Sequence, residues 1–209
     1  MIAQSHHPGM IRFASRSSMP SALLATALAL CGCGEPRAEV LDLEGRPTDP
    51  LVSMPAAVVL IFTRTDCPIS NRYAPEVQRL HEKFTSRDVR FYLVYPNPDV
   101  TVPQIRKHLE DYSYTMTALR DPRHRLVDTV RATFTPEAVV FVPGALSGGR
   151  SEPRLVYKGR IDDRFVDFGK ARPAATTRDL EQKLEAILSG EPVSLTTTPG
   201  IGCLIRDLK

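Results

Sequence analysis

The sequence predicts an α/β domain built as a three-layer sandwich, with a mixed central sheet and helices on both faces. Three observations carry this. Ala56 to Phe62 is a continuous apolar, largely β-branched run, which suits a strand buried on both faces. Segments with helical spacing of apolar residues alternate with it and with a second strand-like run, Val89 to Tyr95. Farther on, two adjacent strand-like segments followed by a helix break the alternation, so the sheet is mixed.

In chain order, residues 1–33 hold Arg12 and Arg16 but no acid, and Ala22 to Leu30 is apolar apart from Thr26. A basic start and a short apolar core form a secretory leader, and the run falls short of the roughly 20 residues that cross a bilayer. Residues 34–55, rich in proline and charge, read as a tether into a domain spanning 56–190. After the first strand, Tyr73, Val77, Leu80 and Phe84 mark one face of a helix. Thr101 and Gln104 form a capping box ahead of Ile105, Leu109 and Tyr112. Asp121 and Pro122 open a third helix carrying Leu126, Val127 and Val130. Ala138 to Val142 and Arg154 to Tyr157 read as a hairpin around Gly148 and Gly149. Thr177 to Leu188 is the last helix, stopped by Gly190. Residues 191–209 form a tail carrying Cys203.

The chain has 209 residues, which fits one domain of about 150 residues with short extensions. Without the two leader arginines, 25 of the 27 basic residues face 24 acids, a balance that gives nucleic-acid binding no support. Of Cys31, Cys33, Cys67 and Cys203, the mature domain keeps Cys67 and Cys203, and an exported protein meets an environment in which disulfides persist. Cys67 lies between a strand end and a helix start, beside unpaired N–H groups that favour the thiolate. From Glu191 to Cys203 the tail can extend about 40 Å, enough to fold back over a small domain. The two cysteines are therefore either a pair or two separate sites. His81 and His108 read as solvated helix positions, and the charged run Arg160 to Arg164 as a salt-bridged loop.

Phe62 to Ser70 (FTRTDCPIS), leaving a buried strand and entering a helix, together with Thr135 and Pro136 before a later strand, resembles the thioredoxin superfamily. Within it the similarity is to the redoxin branch of alkyl hydroperoxide reductases and thiol-specific antioxidants, over roughly residues 50–190. Asp66 to Pro75 (DCPISNRYAP), Gly159 to Asp163 (GRIDD) and Gly202 with Cys203 resemble a bacterial redoxin-domain, lipoprotein-like subgroup. Leu30 to Cys33 resembles a lipobox with Gly32 in the small position, which implies a lipid on Cys33 and a membrane-anchored protein of the periplasm or cell envelope.

The resemblance implies a thioredoxin-like fold, a cis-proline at Pro136 packed against the Cys67 sulfur, and no cofactor. It implies a thiol–disulfide oxidoreductase acting on protein thiols or disulfides, with a redox partner. Ser70 stands where Cys-x-x-Cys proteins carry their second cysteine, so Cys203 is the resolving thiol available in the mature chain, and the Ser70 hydroxyl is left to bond the Cys67 thiolate. Two alternatives stay open. A Cu(I) carrier would use the thiolates of Cys67 and Cys203, with His124 as a further ligand. A thiol peroxidase would use Cys67 with Arg64 or Arg131, although Leu60 and Arg64 occupy the proline and threonine positions of the peroxiredoxin motif.

Overall fold

The computed structural model describes residues 39–147, 150–206 and 208. The leader, Cys31, Cys33, the first part of the expected tether and the turn at Gly148 and Gly149 lie outside the described residues.

The central strand β1 (Ala57–Phe62) is buried along its whole length. It pairs in parallel with β2 (Val89–Tyr95) and antiparallel with β5 (Glu137–Ser147). With β3 (Thr117–Arg120), β6 (Arg150–Gly159) and β9 (Thr196–Thr197) the strands form one mixed sheet in the order β3-β2-β1-β5-β6-β9. Successive side chains on a strand point to opposite faces, and β1 feeds two cores. Ala57, Val59 and Ile61 join a cluster with Val77, Leu80 and Phe84 of α2 (Ala74–Thr85), Ile105 of α3 (Val102–Asp111), and Leu180 and Leu184 of α5 (Asp179–Leu188). Val58, Leu60 and Phe62 pack on the opposite face with Leu126, Val127 and Val130 of α4 (Arg125–Val130). Full burial of each such side chain is worth about 1.5–3 kcal/mol. These are the three layers expected of a thioredoxin-like sandwich.

Local chemistry sets the helix starts. Thr101 Oγ1 accepts from the Gln104 N–H while Gln104 Oε1 accepts from the Thr101 N–H at 2.8 Å, completing the capping box. The buried Asp121 carboxylate accepts from the N–H groups of Leu126 and Val127 at 2.9 and 3.0 Å and so holds the first turn of α4. The helix expected from Tyr73 is α2, with Tyr73 as its N-cap. The short α1 (Pro68–Arg72) precedes α2, and Tyr73 is the joint between them.

Both chain extensions differ from free polymer. Val40 is buried, and Leu41 exchanges backbone hydrogen bonds with Arg120 at 2.9 and 2.7 Å, so residues 39–55 are not a tether throughout. The cause is apolar surface: Val40, Leu51 and Met54 cover the α4-side cluster. At the other end, β9 runs parallel to β6. Beyond it, β10 (Cys203–Leu204) pairs antiparallel with β4 (Phe134–Thr135). A small hairpin, β7 (Phe165–Asp167) and β8 (Lys170–Ala171), stands apart from the main sheet.

Candidate active site

Cys67 follows β1 by one loop and is the N-cap of α1, with Pro68 in the first turn. Its side chain is fully buried. The Cys67 thiol donates to the Thr135 carbonyl at 3.2 Å, and the Ser70 N–H points at Cys67 Sγ at 3.5 Å. The Ser70 hydroxyl is buried and has no hydrogen-bond partner among the described residues, which leaves it as a spare donor for a thiolate. The bond between Thr135 and Pro136 is cis. Cys203 stands opposite Thr135 in the β4–β10 pair, and Thr135 Oγ1 donates to the Cys203 carbonyl at 3.4 Å. Cys67, Ser70, Thr135 with Pro136, and Cys203 are thus brought to one place. Both cysteines are free thiols.

The electrostatics divide the two sulfurs. Burial pushes the Cys67 thiol up, but the polar groups of Cys203, Ser70 and Thr135 around it outweigh that, and the net shift is downward. Burial, together with the bond and charge of Cys67, pushes Cys203 up to about 12. Of the two thiols, Cys67 is thus the more readily ionised. The helix that Cys67 caps has five residues, and the Ser70 N–H is the one from α1 that bonds the sulfur.

Side chains that look ordinary in the sequence prove to frame this site. His108, expected to be solvated, is buried, with Nδ1 2.8 Å from the Tyr95 hydroxyl and Nε2 2.9 Å from Asn71 Oδ1. Burial lowers its pKa, so the ring is held neutral, and the network assigns the proton to Nε2. Asn71 in turn donates to the Thr65 carbonyl at 3.2 Å, which ties the loop before Cys67 to α3. Arg64 bonds Asp66 and donates to the Leu204 carbonyl at 3.2 Å, so it anchors the tail. Glu137, next to Pro136, is buried, accepts from the Thr133 N–H at 2.9 Å and lies 3.6 Å from Lys158 Nζ. An acid at the head of the apolar run Ala138 to Val142 is the sequence signal that points to it.

Other residues are committed elsewhere. His124 is buried, with Nε2 3.0 Å from the Pro96 carbonyl, and no group of three His, Cys, Asp or Glu side chains fit to hold a metal occurs among the described residues. A copper site that includes His124 finds no support in this arrangement. Arg131 ends α4 in the left-handed conformation. In the charged run, Asp162 accepts from the Tyr73 hydroxyl at 2.6 Å, Asp163 pairs with Arg172, and Arg160 with Asp179.

A buried cysteine on a strand-to-helix turn, facing a cis-proline loop across a mixed three-layer sheet, defines a thioredoxin-like protein of the redoxin type. The chain belongs to the AhpC/TSA family, whose model matches residues 39–146. Among solved structures it is similar to an uncharacterized conserved protein from Geobacillus kaustophilus, with 22% identity over 83% of this chain and 89% of that one and a TM-score of 0.63. A hypothetical protein from Sinorhizobium meliloti 1021 is also similar, at 22% identity, 80% and 88% coverage and a TM-score of 0.61. These likenesses concern the fold. No curated protein matches the chain.

Proposed function

We propose that this protein is an exported thiol–disulfide oxidoreductase in which Cys67 is the nucleophile, Cys203 resolves the mixed disulfide, and Ser70 and Pro136 shape the sulfur's surroundings. The observation that carries the reading is the antiparallel pairing of Cys203 with Thr135, whose carbonyl touches Cys67, together with the opposite shifts of the two thiols. In one turnover the Cys67 thiolate attacks a sulfur of the substrate disulfide, that S–S bond breaks, and the leaving thiolate takes a proton. Cys203 then loses its proton and attacks Cys67 Sγ, forming the Cys67–Cys203 disulfide and releasing the second substrate thiol. The substrate gains two electrons and two protons, and a dithiol partner restores the protein by the reverse exchange.

Export and a lipid on Cys33 belong to this proposal and rest on the basic leader, its short apolar core and Gly32. Among the described residues no helix is long and apolar enough to cross a membrane. The test is single-turnover reduction of a disulfide-bonded peptide by the fully reduced protein. Cys67→Ser should abolish it, and Cys203→Ser should stop at a mixed disulfide on Cys67. Undiminished reduction by the Cys67 variant would overturn the reading.

A further inference from the structure

Cys67 has 0% relative exposure, yet a thiolate must meet its target sulfur in line to exchange. The tail lies against it, held in a specific register. Cys203 and Leu204 pair with Thr135 and Phe134, the Ile205 N–H donates to the Thr133 carbonyl at 3.0 Å, and Arg64 donates to the Leu204 carbonyl. Two glycines allow this approach. A Cβ on Gly202 would collide with the Thr135 carbonyl oxygen, and one on Gly200 with the Phe134 ring. Apolar burial fastens the segment only in part: Ile201 and Cys203 lie half-buried against one core and Ile205 against the other, while Leu204 is 72% exposed. Hydrogen bonds of modest net worth and these half-buried side chains hold it, so it can be exchanged for another strand that makes the same contacts.

We propose that the tail is a stand-in for the partner: it fills the β4 edge that an extended polypeptide segment carrying a cysteine must occupy to reach Cys67, and the tail leaves when that segment binds. This rests on the reading of Cys67 as the exchange nucleophile. Because the Thr135 carbonyl touches Cys67 Sγ, the residue opposite Thr135 on an added antiparallel strand is the one whose sulfur comes into reach. The position before it takes glycine, since the place of Gly202 has no room for a side chain. The partner is therefore a strand with a glycine before its cysteine. Exchange proceeds in order: the tail opens, the Cys67 thiolate attacks the partner's disulfide and displaces one thiolate, the partner strand then swings off β4 while still joined to Cys67 through the mixed disulfide, and Cys203 returns, attacks Cys67 Sγ and expels the partner's second thiol.

The test uses the full chain carrying Cys203→Ser, which keeps the tail but stops resolution, joined through Cys67 to a synthetic peptide of sequence PGIGCLIR. Hydrogen exchange at the Ile205 amide should speed up by about tenfold or more in the adduct, the loss expected when a strand held by a few net hydrogen bonds is displaced, while β1 and β5 amides stay protected. An Ile205 amide as protected in the adduct as in the free protein overturns the proposal. A second arm places Gly202→Val in the otherwise unchanged chain, where Cys67 should be alkylated by iodoacetamide about tenfold faster; an unchanged rate in a folded variant counts against the tail as the cover. In a third arm, a peptide with Val before its cysteine should exchange more slowly than PGIGCLIR, and equal rates remove the glycine requirement. Failure of the exchange reading is separate: the reduced protein would then leave both the peptide disulfide and cystamine untouched, whereas cystamine reduction with a protected Ile205 in the peptide adduct sinks the tail proposal alone.

Discussion

Cys203 faces Thr135 across an antiparallel pair, and the Thr135 carbonyl accepts the Cys67 thiol hydrogen at 3.2 Å. One backbone residue therefore connects two sulfurs that the sequence separates by most of the domain. Thr135 stands in the sequence only as the residue before Pro136, and its contribution to Cys67 is a carbonyl and a strand register rather than a side chain.

The Cys67 thiol should titrate below the ordinary cysteine value of about 8.5, because the hydrogen bonds around it outweigh burial. Replacing Cys203 by Ala removes the foremost lowering influence and should move the midpoint upward. Thiolate absorbance or alkylation rate against pH reads both. A Cys67 midpoint at or above the free-thiol value in the unmodified protein would leave it without a nucleophile's acidity.

Ser70→Cys places a further thiol one turn from Cys67, at a buried position whose present hydroxyl has no hydrogen-bond partner among the described residues. Oxidation should then divide Cys67 between the introduced thiol and Cys203, with the nearer one holding the larger share. Peptide mapping of the oxidised variant measures that division, and a product joined wholly to Cys203 would mean that the tail register dominates over proximity.

His108→Leu keeps much of the volume but strips the Tyr95 hydroxyl and Asn71 Oδ1 of their partner. Leaving one buried and one half-buried polar group unpaired should cost about 1–3 kcal/mol, visible in urea unfolding, and should speed hydrogen exchange around residues 65–71. The neutral, buried ring also contributes to pH dependence. Its pKa is lowered by burial, so its contribution is intact above the unfolded value of about 6.5 and is lost as the pH falls below it. The variant should lose that part of the slope.

Glu181 meets Arg79 and Lys83 between α5 and α2, and the Arg79 guanidinium holds its pKa down at about 2 despite the opposing effect of burial. A depressed carboxylate supplies stability that is complete above its unfolded value of about 4.3 and disappears as the pH falls towards 2. Glu181→Gln should therefore lower the urea midpoint at neutral pH and converge with the unmodified protein near pH 2. Parallel curves over that window would show that the cluster is neutral to stability.

Intact-mass analysis of membrane-extracted protein should find a mature chain that begins at a diacylated Cys33. A soluble mature chain starting elsewhere would remove the lipid anchor from the proposal.

The layers are legible from residues alone where burial leaves a pattern. Ala56 to Phe62 reads as the central strand because both its faces are covered, and Thr101 with Gln104 marks a helix start whose two bonds are local. Short strands escape for the opposite reason. Phe134 with Thr135, and Cys203 with Leu204, are two-residue pairings held by distant partners, with no period for a pattern to express. His108 misleads because a histidine on a polar helix looks solvated until Tyr95 and Asn71 are seen to enclose it. Cys67 is visible as a candidate nucleophile, but what lowers its pKa is not, because Cys203 reaches it from the far end of the chain.

Seating Cys203 on β4 also links redox state to the unfolded chain. A bond between Cys67 and Cys203 would close a loop taking in β2 to β9 and all five helices. For loops of that order, the chain-entropy account gives a denatured ensemble poorer by roughly 4–5 kcal/mol. By the thermodynamic cycle, whatever stabilises the oxidised fold more than the reduced one makes its disulfide harder to reduce while folded. Hydrogen-bond losses in the tail that weaken the fold of the oxidised form would raise its reduction potential, so resistance to heat and oxidising power should trade against each other across variants of residues 200–205.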